Sequence, residues 1–182
     1  MNNQIFLIGM MGAGKSSIGK ILSKSLDMQF YDTDDLIKKN TGVEINRIFE
    51  LEGEIGFRKW ERKAFLSIVD KKKIVVATGG GIILNEDNFR ILKKKKFVFF
   101  LKTEINNLIG RLSKDVSRPL LEVSDVKKKM NDLYATRKKK YEDASNYTIE
   151  TSENDTLSEI SNRISSIFLK YSNEKNKDKK PI

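Results

Sequence analysis

The chain has 182 residues, a formal net charge of +10 and no cysteine. That length suits one domain with a substantial core. The lack of cysteine excludes disulfide stapling, and no run approaches the roughly 18 apolar residues of a membrane span. The N-terminus carries no basic-then-apolar signal, so a cytoplasmic protein without membrane attachment is expected. The positive charge invites a nucleic-acid reading, but the lysines are scattered in runs at 71–73, 93–96, 127–129 and 138–140. No RNA-binding aromatic signature or zinc spacing accompanies them. A solvated surface with no nucleic-acid partner is the simpler account, and such a field also favours anionic small molecules.

In chain order, strand and helix patterns alternate. "QIFLI" (4–8) is a short apolar run, and the segment after it has Ile18, Ile21, Leu22 and Leu26 at helical spacing. "MQFYD" (28–32) reads as a strand entering an acidic turn, and "DDLIKKN" as a short helix. A helical pattern from Glu44 to Val69 is interrupted near Gly53–Gly56. "KIVVA" (73–77) and "FVFFL" (97–101) are short and β-rich, as fully buried parallel strands are, with a helix around 86–94 between them. Helical patterns follow at about 103–113 and 125–142, then a weaker strand "NYTIE" and a last helix over 156–171. Repeated βα units of this kind predict an α/β fold, a parallel sheet covered by helices on both faces. The expectation is one domain over 1–171, followed by a basic, disordered tail over 172–182.

"GMMGAGKS", Gly9 to Ser16, fits G-x-x-x-x-G-K-[ST] between a strand and a helix start, the context the motif requires. Backbone N–H groups of such a loop and the helix N-terminus cradle phosphate. Lys15 can reach the β- and γ-phosphates, and the Ser16 hydroxyl can ligate Mg²⁺. No [NT]-K-x-D run for reading guanine is present, which favours ATP as the nucleotide.

An acceptor must then be found. In "YDTDD", Asp32 and Asp34 end an extended segment, where period-2 geometry puts both carboxylates on one side, about 7 Å apart. One can serve the Mg²⁺ shell while the other meets an acceptor hydroxyl. A plain helix start is the competing account, and it suffices for Asp35. In "GFRKWERKAF", Arg58 and Glu61 lie three apart on one helical face. They are either a surface ion pair of little worth or a guanidinium fork held ready for a carboxylate ligand. "VVATGGGIILN" puts Gly79, Gly80 and Gly81 straight after a buried strand. They are either a flexible turn or a place where something must touch bare backbone. "SRPLLE" (117–122) sets Arg118 in a basic loop between helices that could close over phosphates.

Together, in this order and at these intervals, the phosphate loop, "DTD", "FRKWE", "TGGG" and "RPLL" resemble shikimate kinases over about residues 5–150. The resemblance implies a three-layer P-loop kinase fold with a five-stranded parallel sheet and a small lid over about 112–124. It implies transfer of the γ-phosphoryl group of MgATP to the 3-hydroxyl of shikimate, by a monomer whose small-molecule partners are shikimate and ATP. On this pattern Gly12, Ala13, Gly14, Lys15, Ser16 and Ser17 hold the phosphates, with Arg111 beside adenine and Arg118 covering the phosphates from the lid. Ser16 and Asp32 serve Mg²⁺. Lys15, Asp34 and Arg118 act in the transfer, Asp34 as the base or as the group that orients the hydroxyl. Arg58, Arg137 and Gly80, flanked by Gly79 and Gly81, hold the shikimate carboxylate and ring, Glu61 orients Arg58, and Phe49 and Phe57 form an apolar wall. The triple glycine would let the ring approach bare backbone, its N–H groups binding oxygens. Two features depart from the family: "RKKKY" lacks the proline and leucine usual before that tyrosine, and "SKDVSRPLL" lacks the glycines often found in the lid.

Overall fold

In the computed structural model, which describes residues 3–112 and 126–177, five strands form one wholly parallel sheet. They are β1 (Gln4–Ile8), β2 (Gln29–Asp32), β3 (Ile74–Ala77), β4 (Val98–Thr103) and β5 (Tyr147–Thr151), in the order β2-β3-β1-β4-β5. The central strands β1 and β3 are buried at every position, as expected of apolar runs covered on both faces. The edge strand β5 alternates between exposed and buried after its first residue.

The helices are α1 (Lys15–Ser25), α2 (Thr33–Thr41), α3 (Ile45–Leu66), α4 (Glu86–Lys93), α5 (Ile105–Leu112), α6 (Val126–Ala144) and α7 (Leu157–Lys177). Strand alternation sorts them onto two faces. On one face Leu7 meets α1 at Gly19, and Phe97 packs edge-on against Phe168 of α7. On the other, Phe6 meets Phe65 of α3, and Phe100 stacks on Tyr141 of α6. Phe6, Phe65, Phe100 and Tyr141 are all fully buried, each contributing about 1.5–3 kcal/mol of transfer free energy relative to an exposed side chain.

Two local features differ from the sequence reading. The interruption of α3 is a single residue, Gly53, at φ 65° and ψ −171°, a conformation that glycine adopts without a Cβ clash. The last helix runs to Lys177, six residues past its expected end and into the segment read as a disordered tail. The sheet puts the exits of β1 and β3 side by side at its carboxyl edge, where open α/β folds gather their ligands.

Candidate active site

The β1–α1 loop turns into its helix at Gly14, whose φ of 84° makes it a left-handed N-cap with no side-chain hydrogen bond. No acidic residue of α1 itself occupies its first turn, so nothing within the helix offsets the positive end of its dipole. The Lys15 ammonium is anchored within the loop, donating to the carbonyls of Gly9 and Met10 at 2.8 Å each. Gly12, Gly14, Lys15, Ser16 and Ser17 line one side of a cavity of about 590 Å³. Arg111 of α5 lines it too and donates to the Gly12 carbonyl at 3.4 Å. Ala13 does not line it: the residue is buried and gives its N–H to Met10. Thr78 and the segment Asp155–Leu157, which sequence reasoning missed, complete the walls. No motif marks the latter, because that segment reaches the cavity only through the fold of β5 onto α7.

Asp32 and Asp34 converge, but not by strand alternation. The helix α2 begins at Thr33, and Asp32 is its N-cap, its Oδ1 accepting from the Asp34 N–H at 2.9 Å. Asp34 therefore sits in the first turn of a helix, and the capping turn, not an extended backbone, brings the carboxylates to one place. The other oxygen of Asp32, Oδ2, accepts from the Ser16 hydroxyl at 2.5 Å.

A second cavity of about 210 Å³ lies across this seam, between α2, α3 and the loop after β3. Arg58 and Glu61 are no surface pair. Glu61 is wholly buried, and Arg58 reaches it with Nη1 at 2.7 Å while Nη2 meets Glu54 at 2.8 Å. Burial pushes the Glu61 carboxyl above its ordinary value; the guanidinium of Arg58 pulls it back part of the way, and the Asp34 charge adds to the upward push. Burial works against the Arg58 charge, yet its two glutamate partners hold its pKa above the ordinary value. Phe49 and Phe57 stack at 4.5 Å, with the Arg58 guanidinium 5.2 Å from the Phe57 ring centre. Arg137 of α6, buried despite the "RKKKY" context, lines the same cavity as Arg58. Lys38 and Glu44, paired at 2.7 Å, stand at its rim. Sequence reasoning missed both; the one available signal was the place of Lys38 one helical turn beyond Asp34.

The triple glycine has a further reason that the sequence does not show. A Cβ on Gly79 would strike the Glu61 carboxylate, and one on Gly81 the Arg58 guanidinium. One on Gly80 would lie 3.2 Å from the Met11 N of the phosphate loop. Protein packs against these glycines before any ligand does, although all three also line the cavity. The Gly79 N–H, expected to bind a ligand oxygen, is given to the Thr33 hydroxyl at 2.8 Å. Arg118 and the expected lid, from residue 113 onward, lie outside the described residues.

The two cavities share a wall: Ser16, Asp32, Asp34, Gly79 and Gly80 line both. The geometry suits transfer of a group from a ligand in one cavity to a ligand in the other.

A family model described as shikimate kinase matches residues 11–169. The shikimate kinase of Francisella tularensis subsp. novicida is 45% identical over 166 residues, 91% of this chain and 94% of the relative. The solved structure of the Acinetobacter baumannii shikimate kinase in complex with shikimate superposes with a TM-score of 0.82 at 35% identity, covering 98% of this chain and 95% of that one. A gluconokinase from Sinorhizobium meliloti aligns with a TM-score of 0.60 at 14% identity, covering 98% and 99% of the two chains, a likeness of fold alone.

Proposed function

The chain belongs to the shikimate kinase family, and on that premise we propose how its two cavities divide the work of one phosphoryl transfer. The enzyme is an ATP-dependent kinase that moves the γ-phosphoryl group of ATP to the 3-hydroxyl of shikimate, giving shikimate 3-phosphate and ADP. The observation that carries the division of labour is the shared wall.

In this reading the larger cavity takes the nucleotide. The amides at the start of α1 and the Lys15 ammonium meet its phosphates, and Arg111 lies beside the base. The smaller cavity takes shikimate. Arg58, preset by Glu61 and Glu54, and Arg137 bind its carboxylate, Phe49 and Phe57 bound its ring, and Asp34 meets the reacting hydroxyl. Because phosphoryl transfer proceeds through a loose transition state, the main tasks are positioning and charge stabilisation. Asp34 orients the hydroxyl and takes its proton as the bond to phosphorus forms. Arg118, from the lid, covers the phosphates.

Mg²⁺ fits the seam. The Ser16 hydroxyl and the Asp32 carboxylate, 2.5 Å apart, are hard oxygen donors. Among the described residues no group of three or more His, Cys, Asp or Glu side chains could cage a metal. One or two protein oxygens beside substrate phosphates is the arrangement Mg²⁺ favours. When bound, the ion neutralises charge on the β- and γ-phosphates. Among the described residues no helix is long and apolar enough to cross a membrane. We take the enzyme to act in the cytoplasm as a monomer, one kinase domain over 1–171 with a lid at about 112–124, and without a nucleic-acid partner. ADP release with MgATP against a panel of shikimate, gluconate, AMP and RNA tests the reading. Turnover with shikimate alone is the expected result, and turnover with gluconate in its place would overturn it.

A further inference from the structure

Tyr141 is among the largest fully buried side chains of the protein, and the chemistry above gives it no task. Its ring stacks on Phe100 with centroids 5.0 Å apart, which would be reason enough for a phenylalanine. The hydroxyl needs a separate explanation, since burying one is unfavourable unless it is hydrogen-bonded. It is bonded on a particular set of groups. It donates to the Gly80 carbonyl and lies 3.7 Å from Met10 Sδ. Arg137 stands one turn earlier on the same face of α6, 3% exposed.

The proton count fits only one arrangement. A phenol has one hydrogen to give and lone pairs to receive with. The Gly80 carbonyl can only accept, so the hydrogen goes there, and a lone pair is left for the Arg137 guanidinium, which can only donate and whose charge acts on the hydroxyl. Burial keeps the phenol protonated far above neutral pH, against the opposing pull of Arg137. Glu61 and Arg58 are the other charges that act on it. Each end of this chain lies in the proposed machinery: Arg137 and Gly80 line the acceptor cavity, and the Met10 carbonyl receives the Lys15 ammonium.

We propose that Tyr141 is a positioning residue for the acceptor, its hydroxyl holding the Arg137 guanidinium and the Gly80 carbonyl in one register against the phosphate loop. This explains why a departure from the family pattern between Arg137 and Tyr141 leaves Arg137 in the cavity. The three lysines between them lie on other sides of the helix, while the i,i+4 pair keeps its face. The proposal rests on the reading that this cavity binds shikimate through Arg137.

The test is Tyr141→Phe, which removes one oxygen and leaves the ring on Phe100. Steady-state constants for shikimate and ATP are measured in wild type, Tyr141→Phe, Arg137→Lys and the double variant, with a melting curve for each. Loss of the hydroxyl, which only positions groups that stay in place, should raise the KM for shikimate about 3- to 10-fold, with kcat changed less than about twofold and the KM for ATP unmoved. In the Arg137→Lys background the same change should add less than about twofold, because the group it positions is already gone. An unchanged shikimate KM in Tyr141→Phe, full additivity in the double variant, or collapse of the fold would each overturn the proposal. Wild type supplied with shikimate in the same assay controls for the acceptor assignment, so the two failures are read apart.

Discussion

The Ser16 hydroxyl donates to Asp32 Oδ2 at 2.5 Å, and through that contact the first turn of α1 touches the cap of α2. One carboxylate thus serves two ends: Oδ1 starts a helix that carries Asp34, while Oδ2 faces the phosphate side. The link ties the place proposed for a metal to Asp34, the residue proposed to meet the acceptor.

Asp32→Asn keeps the cap, because asparagine caps helices as well as aspartate does, but removes a charge from the metal's surroundings. The Mg²⁺ concentration for half-maximal rate should rise about tenfold or more, the usual scale for a group supporting a metal site. The melting temperature should stay within a few degrees of wild type. A Mg²⁺ titration of initial rates measures this directly, and an unchanged midpoint would remove Asp32 from the metal's shell.

Arg58→Lys and Arg137→Lys keep the charge but lose the planar fork. Each should raise the KM for shikimate about 10- to 100-fold, the cost of one charge-assisted hydrogen bond of about 1.5–3 kcal/mol. The effect should fall mainly on KM, since a carboxylate remote from the reacting hydroxyl is held before and during transfer alike. An analogue lacking the carboxylate should bind wild type poorly and lose little more with either variant. Wild-type behaviour of Arg137→Lys towards shikimate would leave Arg58 acting alone.

The glycines should not respond alike. Alanine at position 79 or 81 presses on Glu61 or Arg58, so each should weaken shikimate binding and spare ATP. Gly80→Ala directs its methyl at Met11 N, 3.2 Å away, and should weaken both ligands. Calorimetric titration of each variant with shikimate and with ADP separates the two patterns. An effect of Gly80→Ala on shikimate alone would mean that the phosphate loop does not feel the third strand's exit.

The acidic limb of the pH profile should belong to Glu61. Its carboxyl titrates above the ordinary 4.5, chiefly through burial. As pH falls through that raised value the group takes up a proton, its ion pair with Arg58 is lost, and the KM for shikimate rises. Stability moves the other way. A group whose pKa is higher folded than unfolded contributes most below the unfolded value, and that contribution is lost as pH rises through the folded one. Acidification should therefore narrow any gap in melting temperature between wild type and Glu61→Gln while it weakens wild-type affinity. Parallel melting curves and KM values across pH 4 to 8 report both, and parallel signs would contradict this assignment.

Much of this was legible in the chain, for physical reasons that differ by element. The phosphate loop announces itself because glycines, a lysine and a hydroxyl at fixed spacing have few other uses. Buried parallel strands are readable as short apolar runs, and β1, β3 and β4 lie within a residue or two of where those runs end. Arg58 with Glu61 was ambiguous, because three-residue spacing is shared by surface pairs and buried forks, and only burial separates them. The geometry of Asp32 and Asp34 was misjudged because a strand ending in an N-cap has the same local sequence as a strand that continues. The packing of Gly79 and Gly81 against Glu61 and Arg58 was hidden, because those side chains come from a helix distant in sequence and no local pattern could reveal it. Asp155 to Leu157 carried no signal, since they lie at the junction of the last strand and the last helix, far in sequence from every motif, and reach the cavity through the fold.

The division of labour at the seam is tested most directly by Asp34→Asn. Turnover with shikimate and MgATP is measured alongside ADP affinity and the Mg²⁺ midpoint. With Asp34 meeting the acceptor hydroxyl, kcat should fall about 100-fold or more, the scale of a lost base or orienting group. Nucleotide affinity and the Mg²⁺ midpoint should stay within about twofold of wild type. A collapse of nucleotide or Mg²⁺ binding with near-normal turnover at saturation would put Asp34 in the metal's shell and contradict the account.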